Sequence, residues 1–320
     1  MNQNARPVDD RALRFAWGEY RRASKQAREM KRELNRRRLI SLGLGVAGAI
    51  FGVLAAQFGD WAGGSSLPDR LPQVFALGSA ISVAVVTYLG KDTLASEMQQ
   101  GWVMARARAE ALKSEAFTYL ARVPPYGGPD RGTQLLEKTQ SLLANDSVVR
   151  PVHLSDDELV ARLPEDWLTP EDYVQLRAID QASGFYRPKA AENEKNLKLT
   201  RTIGFFLGAI GVILGAIGAV IQDATWVAGW VAVIGTIGGA VVAFALASRY
   251  EYQALSYQAA ARRLESLVAA WSNLPEPERQ AAFPDLVRDC ERAIADESSN
   301  WVVEWKSAVP ATTAVPAGGT

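Results

Sequence analysis

The stretch 203–221, IGFFLGAIGVILGAIGAVI, carries no charge, and its glycines fall at Gly204, Gly208, Gly211, Gly215 and Gly218, in steps of four, three, four and three. On a helix this spacing draws one narrow stripe along a single face. In water each glycine would weaken the helix by about 1 kcal/mol relative to alanine. In lipid the backbone must hydrogen-bond within the segment, so the helix holds, and the stripe becomes a groove that admits another helix closely. An earlier stretch repeats the device with Ser41, Gly45, Gly48, Gly52, Ala55 and Gly59. Gly45, Gly48 and Gly52 superpose without a gap on Gly208, Gly211 and Gly215, which reads as an internal repeat and two related halves.

Four charge-free apolar windows, at about 39–58, 71–89, 203–221 and 226–247, each approach the roughly 20 residues that cross a bilayer core. They come in two close pairs. The expected fold is an all-α integral membrane protein, with two transmembrane helical hairpins and long cytoplasmic helical extensions. The first half covers 1–150, the second 151–309, and 310–320 reads as a disordered tail. The single cysteine, Cys290, excludes an internal disulfide, and the single histidine, His153, reads as a loop residue before a helix cap. No metal site, cofactor or catalytic constellation is expected, so the chain does not read as an enzyme. No cleavable leader is expected, because a long charged arm precedes the first apolar run.

Charge sets the expected topology. Between Arg21 and Arg38 lie nine basic residues opposed only by Glu29 and Glu33, on a helix that Asp9 or Asp10 can cap and that runs without a break into the first span. This is a positive-inside signal with affinity for anionic headgroups, and direct nucleic-acid binding is not expected. Lys91, Arg106, Arg108, Lys113 and Arg122 follow the first hairpin. Arg187, Lys189, Lys195, Lys198 and Arg201 precede the second, and Arg249 closes it. The expected location is the inner cell membrane, multi-pass, with both termini cytoplasmic. The segment 124–132, PPYGGPDRG, reads as a turn, because no strand precedes it and no Gly-Lys-Ser/Thr follows. Ser155 with Glu158 forms a capping box, and Thr169 caps a helix with Pro170 in its first position. Pro188 is placed to kink that helix. On the fourth helix Ala228, Ala232, Gly235 and Gly239 form a small-residue face to receive the Gly204–Gly218 groove, and the helix is expected to run on through Trp271. Pro275 and Pro277 then stop it, and 283–305 reads as a bent helix or helix pair.

The stretch 172–193, DYVQLRAIDQASGFYRPKAAEN, running into a two-helix hairpin, resembles the opening of SLATT domains. The matching residues are Tyr173, Arg177, Asp180, Gln181, Phe185, Tyr186, Lys189 and Ala190, and the closing helix is similar through Glu291, Glu297 and Trp301. The first half resembles a more divergent copy, mainly in architecture. The resemblance implies a pore-forming or membrane-disrupting effector of a bacterial conflict or antiphage system. It also implies a homo-oligomer paired with a protein that makes or senses a nucleotide signal. A bland reading of the motif is that Arg177 and Asp180 pair along one helix at i, i+3. The other functions weighed are a non-conducting membrane scaffold or sensor and a small transporter. The transporter fits poorly, because the spans hold no ionisable group at membrane depth. Should the spans enclose a pore, Ser79, Ser82, Thr87 and Thr236 are its candidate lining. Otherwise these hydroxyls bond the carbonyl four residues back or a neighbouring helix.

Overall fold

The computed structural model describes residues 6–62, 70–93, 96–144, 152–221 and 225–307, with side chains left out at 59–62, 89–93, 96–97, 225 and 298–307. Ten α-helices are described: α1 Arg11–Ala62, α2 Leu71–Thr93, α3 Ser96–Leu120, α4 Arg131–Ala144, α5 Asp156–Val160, α6 Pro170–Tyr173, α7 Arg187–Val220, α8 Thr225–Ser248, α9 Tyr250–Ser272 and α10 Glu276–Ser307. Between α6 and α7 the helix continues as two π-helical segments, Val174–Ile179 and Ala182–Tyr186. No strand occurs among the described residues, and the chain is an all-α membrane protein. The tail 310–320 lies outside the described residues.

Several local signals behave as their chemistry requires. Asp10 Oδ1 accepts from the backbone N–H of Ala12 and Leu13, so it is the carboxylate that caps α1. Ser155 with Glu158 closes a capping box at α5, and Thr169 with Asp172 closes another at α6, where Pro170 needs no N–H partner. Pro284 sits inside α10, which is one helix rather than a pair. The expected continuity from α8 into α9 does not hold. Arg249 adopts a left-handed φ of 49°, and the Gln253 side chain donates to the carbonyl of Ser248 at 2.7 Å, satisfying a group the break sets free.

The chain divides into two compact units that cut across the sequence halves. One, the polar unit, comprises 1–31, 96–188 and 256–320; the other, the span unit, comprises 32–95 and 189–255.

In the span unit, four helices are long and apolar enough to cross a membrane, and they carry the windows within α1, α2, α7 and α8. Their large side chains face outward. Phe205, Val212, Val220 and Leu246 are each more than 70% exposed, an arrangement that needs an apolar solvent. The first hairpin closes on its glycines. A Cβ at Gly48 would meet Ser82 Cβ at 3.1 Å, one at Gly52 would meet Ser79 Oγ at 3.3 Å, and Gly78 lies against Phe51. In the second hairpin Gly211 faces Ile234 and Gly218 faces Val227, while a Cβ at Gly204, Gly208 or Gly215, or at Gly45 in α1, would meet nothing within 4 Å among the described residues. Half of the stripe is therefore a contact and half is open. The expected receiving face of α8 is not the one used: Ala228, Ala232, Gly235 and Gly239 are exposed, and Val227 and Ile234 do the packing. Branched side chains reach into the groove farther than alanine or glycine can. The two hairpins also touch, through Gln57 Nε2 donating to the carbonyl of Trp226 and through Gly229 against Val53.

Candidate functional site

The polar unit holds a core of small and aromatic residues from α1, α3, α9 and α10, and a group of buried charges lies within it. The segment 173–188 supplies one wall. Its buried positions are Val174, Ala178, Ala182 and Tyr186, each four residues after the last, with Tyr173, Arg177 and Gln181 buried beside them, and the period continues to the buried Ala190. An α-helix of 3.6 residues per turn would carry such a row off its face. The wider i→i+5 turns of the π segments, alternating with α turns, bring the average to roughly four residues per turn, and the row stays buried. The second segment also suits Pro188: the N–H of Arg187 bonds the carbonyl of Ala182, five residues back, just before the residue that has none to give.

Arg177 is fully buried. Its Nε donates to Glu291 Oε1 at 2.8 Å and its Nη2 to Glu291 Oε2 at 2.7 Å, a bidentate pair. Tyr173 Oη donates to the same carboxylate at 2.9 Å, and the guanidinium lies 5.2 Å from the Phe117 ring centroid. Glu110 of α3 approaches from the other side, Oε2 to Nη1 at 3.7 Å. Burial works against the Arg177 charge, but Glu291 and then Glu110 outweigh it and hold its pKa above the usual value. Burial pushes the Glu110 carboxyl up, and Lys113, Arg177 and Arg106 bring it below the usual range. Lys113 donates to Gln181 Oε1 at 3.0 Å. Burial, with Arg177 adding repulsion, pushes its ammonium down to about 8.

A second cluster lies on the same helices. Arg106 of α3 makes two 2.9 Å bonds to the Glu297 carboxylate and one of 2.9 Å to Tyr257 Oη. Tyr257 in turn packs on Phe185 and Tyr186 with ring centroids 5.9 Å apart in each pair. Burial holds the phenols of Tyr173 and Tyr186 protonated well above their ordinary range. Cys290 is buried beside the network and its thiol is pushed up to about 12, so it is an inert core residue.

The structure brings together Tyr173, Arg177, Gln181, Tyr186, Glu291 and Glu297. It does not bring in Asp180 or Lys189. Asp180 is exposed and accepts from Gln175, so the pairing of Arg177 with Asp180 along one helix is absent: Arg177 lies on the buried face and Asp180 on the outer one. Lys189 pairs with Glu192 at the surface. The side chain of Trp301 lies outside those described. Sequence reasoning missed the α3 partners. Arg106, Glu110 and Lys113 fall at i, i+4 and i+7, on the side that also carries the buried Ala105, Ala109, Leu112 and Ala116. Charges sharing the apolar face of a helix were the available signal.

In the span unit Ser82 Oγ, Thr87 Oγ1 and Thr236 Oγ1 each donate to the carbonyl four residues back, and Ser79 Oγ donates to Gly48 across the hairpin. Ser79 and Ser82 face α1, whereas Thr87 and Thr236 are exposed.

Two family models match the chain. Residues 173–301 match the SMODS and SLOG-associating 2TM effector domain, SLATT. That segment is similar to a SLATT domain. It contains Tyr173, Arg177, Glu291 and Glu297 together with the whole second hairpin. Residues 17–134, which include the first hairpin and all of α3, match a family described only as a protein of unknown function, DUF4231. No curated protein and no solved structure matches the chain.

Proposed function

We propose that the chain is a membrane effector of a bacterial conflict system that permeabilises the bilayer as a homo-oligomer. The SLATT match over the second hairpin carries the reading, since that family is named for a two-transmembrane effector domain. Support for a second copy comes from the open half of the α7 stripe at Gly204, Gly208 and Gly215 and from the exposed Ala228, Ala232, Gly235 and Gly239 of α8. In lipid such faces favour close helix contact. On this reading the protein is not an enzyme. It sits in the inner membrane with its termini in the cytoplasm, and a partner that makes or senses a nucleotide signal triggers it. The exposed Thr87 and Thr236 are better placed to meet water in an assembly than Ser79 and Ser82, which are engaged within the first hairpin.

That engagement favours a second reading, a non-conducting scaffold or sensor acting through the polar unit. Particle size in mild detergent, measured alongside dye release from reconstituted vesicles, separates the two. A large assembly that leaks supports the effector. A monomer or dimer that leaves vesicles tight supports the scaffold.

A further inference from the structure

Six charged side chains meet in the polar unit, and they are divided evenly. Arg106, Glu110 and Lys113 come from α3, inside the segment matched as 17–134; Arg177, Glu291 and Glu297 come from the SLATT segment. Three are positive and three negative, so the group is balanced only when the two segments are together. An apolar interface would hold these helices at least as well, because desolvating two charges offsets most of their attraction. The neighbours of these positions on α3, Ala105, Ala109, Leu112 and Ala116, already provide one. What charges add is orientation and reversibility: once parted, they regain water, whereas parted apolar faces would not.

The network is also unevenly made. Arg177 makes a short bidentate pair with Glu291, and Arg106 Nη2 reaches both oxygens of Glu297 at 2.9 Å. Between them, Glu110 Oε2 and Arg177 Nη1 face each other at 3.7 Å, both buried and both without a hydrogen bond. Lys113 is bonded to a neutral amide while Arg177 repels it. The weak join is therefore the one between α3 and the π-helical segment, which runs directly into α7. A π turn is a rare state of a helix and marks places where register can change.

We propose that this network is a releasable latch in which α3 clamps the SLATT segment, and that parting it frees α10 and the helix leading into α7 for permeabilisation. The last clause rests on the effector reading above; the latch itself does not.

The test uses the full chain in vesicles and compares three forms by backbone hydrogen exchange and by dye release. Glu297→Gln removes the charge that holds Arg106 with almost no change of shape. Amides of α3 and α10 are expected to exchange about tenfold faster, and dye release to rise severalfold. Arg106→Met with Glu297→Leu replaces the pair by apolar side chains, which keeps the fold and should slow exchange and dye release below the unaltered chain. That double variant keeps the test decisive if Glu297→Gln loses helicity. Exchange in α3 and α10 that is the same in all folded forms overturns the latch, as does, where the unaltered chain leaks, a folded double variant that leaks as much. Exchange that follows the expected order while no form leaks leaves the latch standing and overturns the permeabilising reading instead.

Discussion

Arg177 shows why this family-motif position tolerates no simple replacement. Its guanidinium is wholly buried, and it stays charged because Glu291 accepts two of its N–H groups while Phe117 and Glu110 close around it. Arg177→Met leaves the Glu291 carboxylate buried and uncompensated, which should lower stability by about 3–5 kcal/mol. Arg177→Lys should recover little, since an ammonium cannot make the bidentate pair. Pairing Arg177→Met with Glu291→Leu should regain most of the loss, and a denaturant series in detergent measures all three. Lys113 gives a pH dependence of known sign. Facing it are Arg177, Arg162, Glu110 and Glu291, with Gln181 as its bonded partner. Its pKa is near 8 in the fold and 10.5 without it, so between those values the unfolded chain binds more protons and stability rises with pH. The expected gain is about 2 kcal/mol from pH 7 to 10. Lys113→Met should be more stable at pH 7 and lose that slope; a slope that persists would show that another group titrates there. Most of this site's second-half members were legible as motif residues. Their α3 partners were not: charges on an apolar face show that α3 is buried there, but not which distant residue meets them, such as Gln181 for Lys113, 68 positions on, or Glu297 for Arg106, 191 positions on.

Among the elements, the glycine stripes were legible but their contacts were not. Spacing shows which residues share a face; it does not show which side of that face meets the next helix. The structure separates the glycines by what a side chain would strike. Gly48→Leu would drive into Ser82, and Gly218→Leu into Val227, where contact distances for a Cβ alone are already 3.1 and 3.3 Å. Each should destabilise its hairpin by about 1–3 kcal/mol. A Cβ at Gly215 would meet nothing within 4 Å among the described residues, so Gly215→Leu should leave the hairpin intact, while reducing any assembly that uses the open part of the stripe. Thermal unfolding in detergent checks the hairpins and particle size checks the assembly. If Gly48→Leu and Gly215→Leu unfold alike, the division of the stripe is wrong. The π segments hold a subtler lesson. Val174, Ala178, Ala182, Tyr186 and Ala190 keep a period of four, which a helix of 3.6 residues per turn does not sustain and a helix with π turns does.

For the whole molecule, the repeat in the sequence reads as two related halves, and each compact unit draws on both of them. The polar unit draws on 1–31 and 96–188 as well as 256–320, so neither half owns it. Its α10 packs on α3, and the charges of those two helices balance only with Arg177 of the π segment. Consider the chain expressed as two pieces, 1–151 and 152–320. Alone, the second piece keeps Arg177 with Glu291 but leaves Glu297 and Tyr257 without Arg106, and it bares the face of α10 that α3 covers. The first piece leaves Arg106, Glu110 and Lys113 exposed in the middle of an apolar face. Each piece should still insert its hairpin, because the spans need only lipid and their own glycine contacts. Each should also have polar segments that trypsin removes quickly. Produced together, the pieces should copurify in detergent, regain protease resistance over α3 and α10, and unfold in one transition near that of the intact chain. If 152–320 alone resists trypsin as well as the intact chain does, the SLATT segment is self-sufficient, and α3 is an accessory to it rather than part of its core.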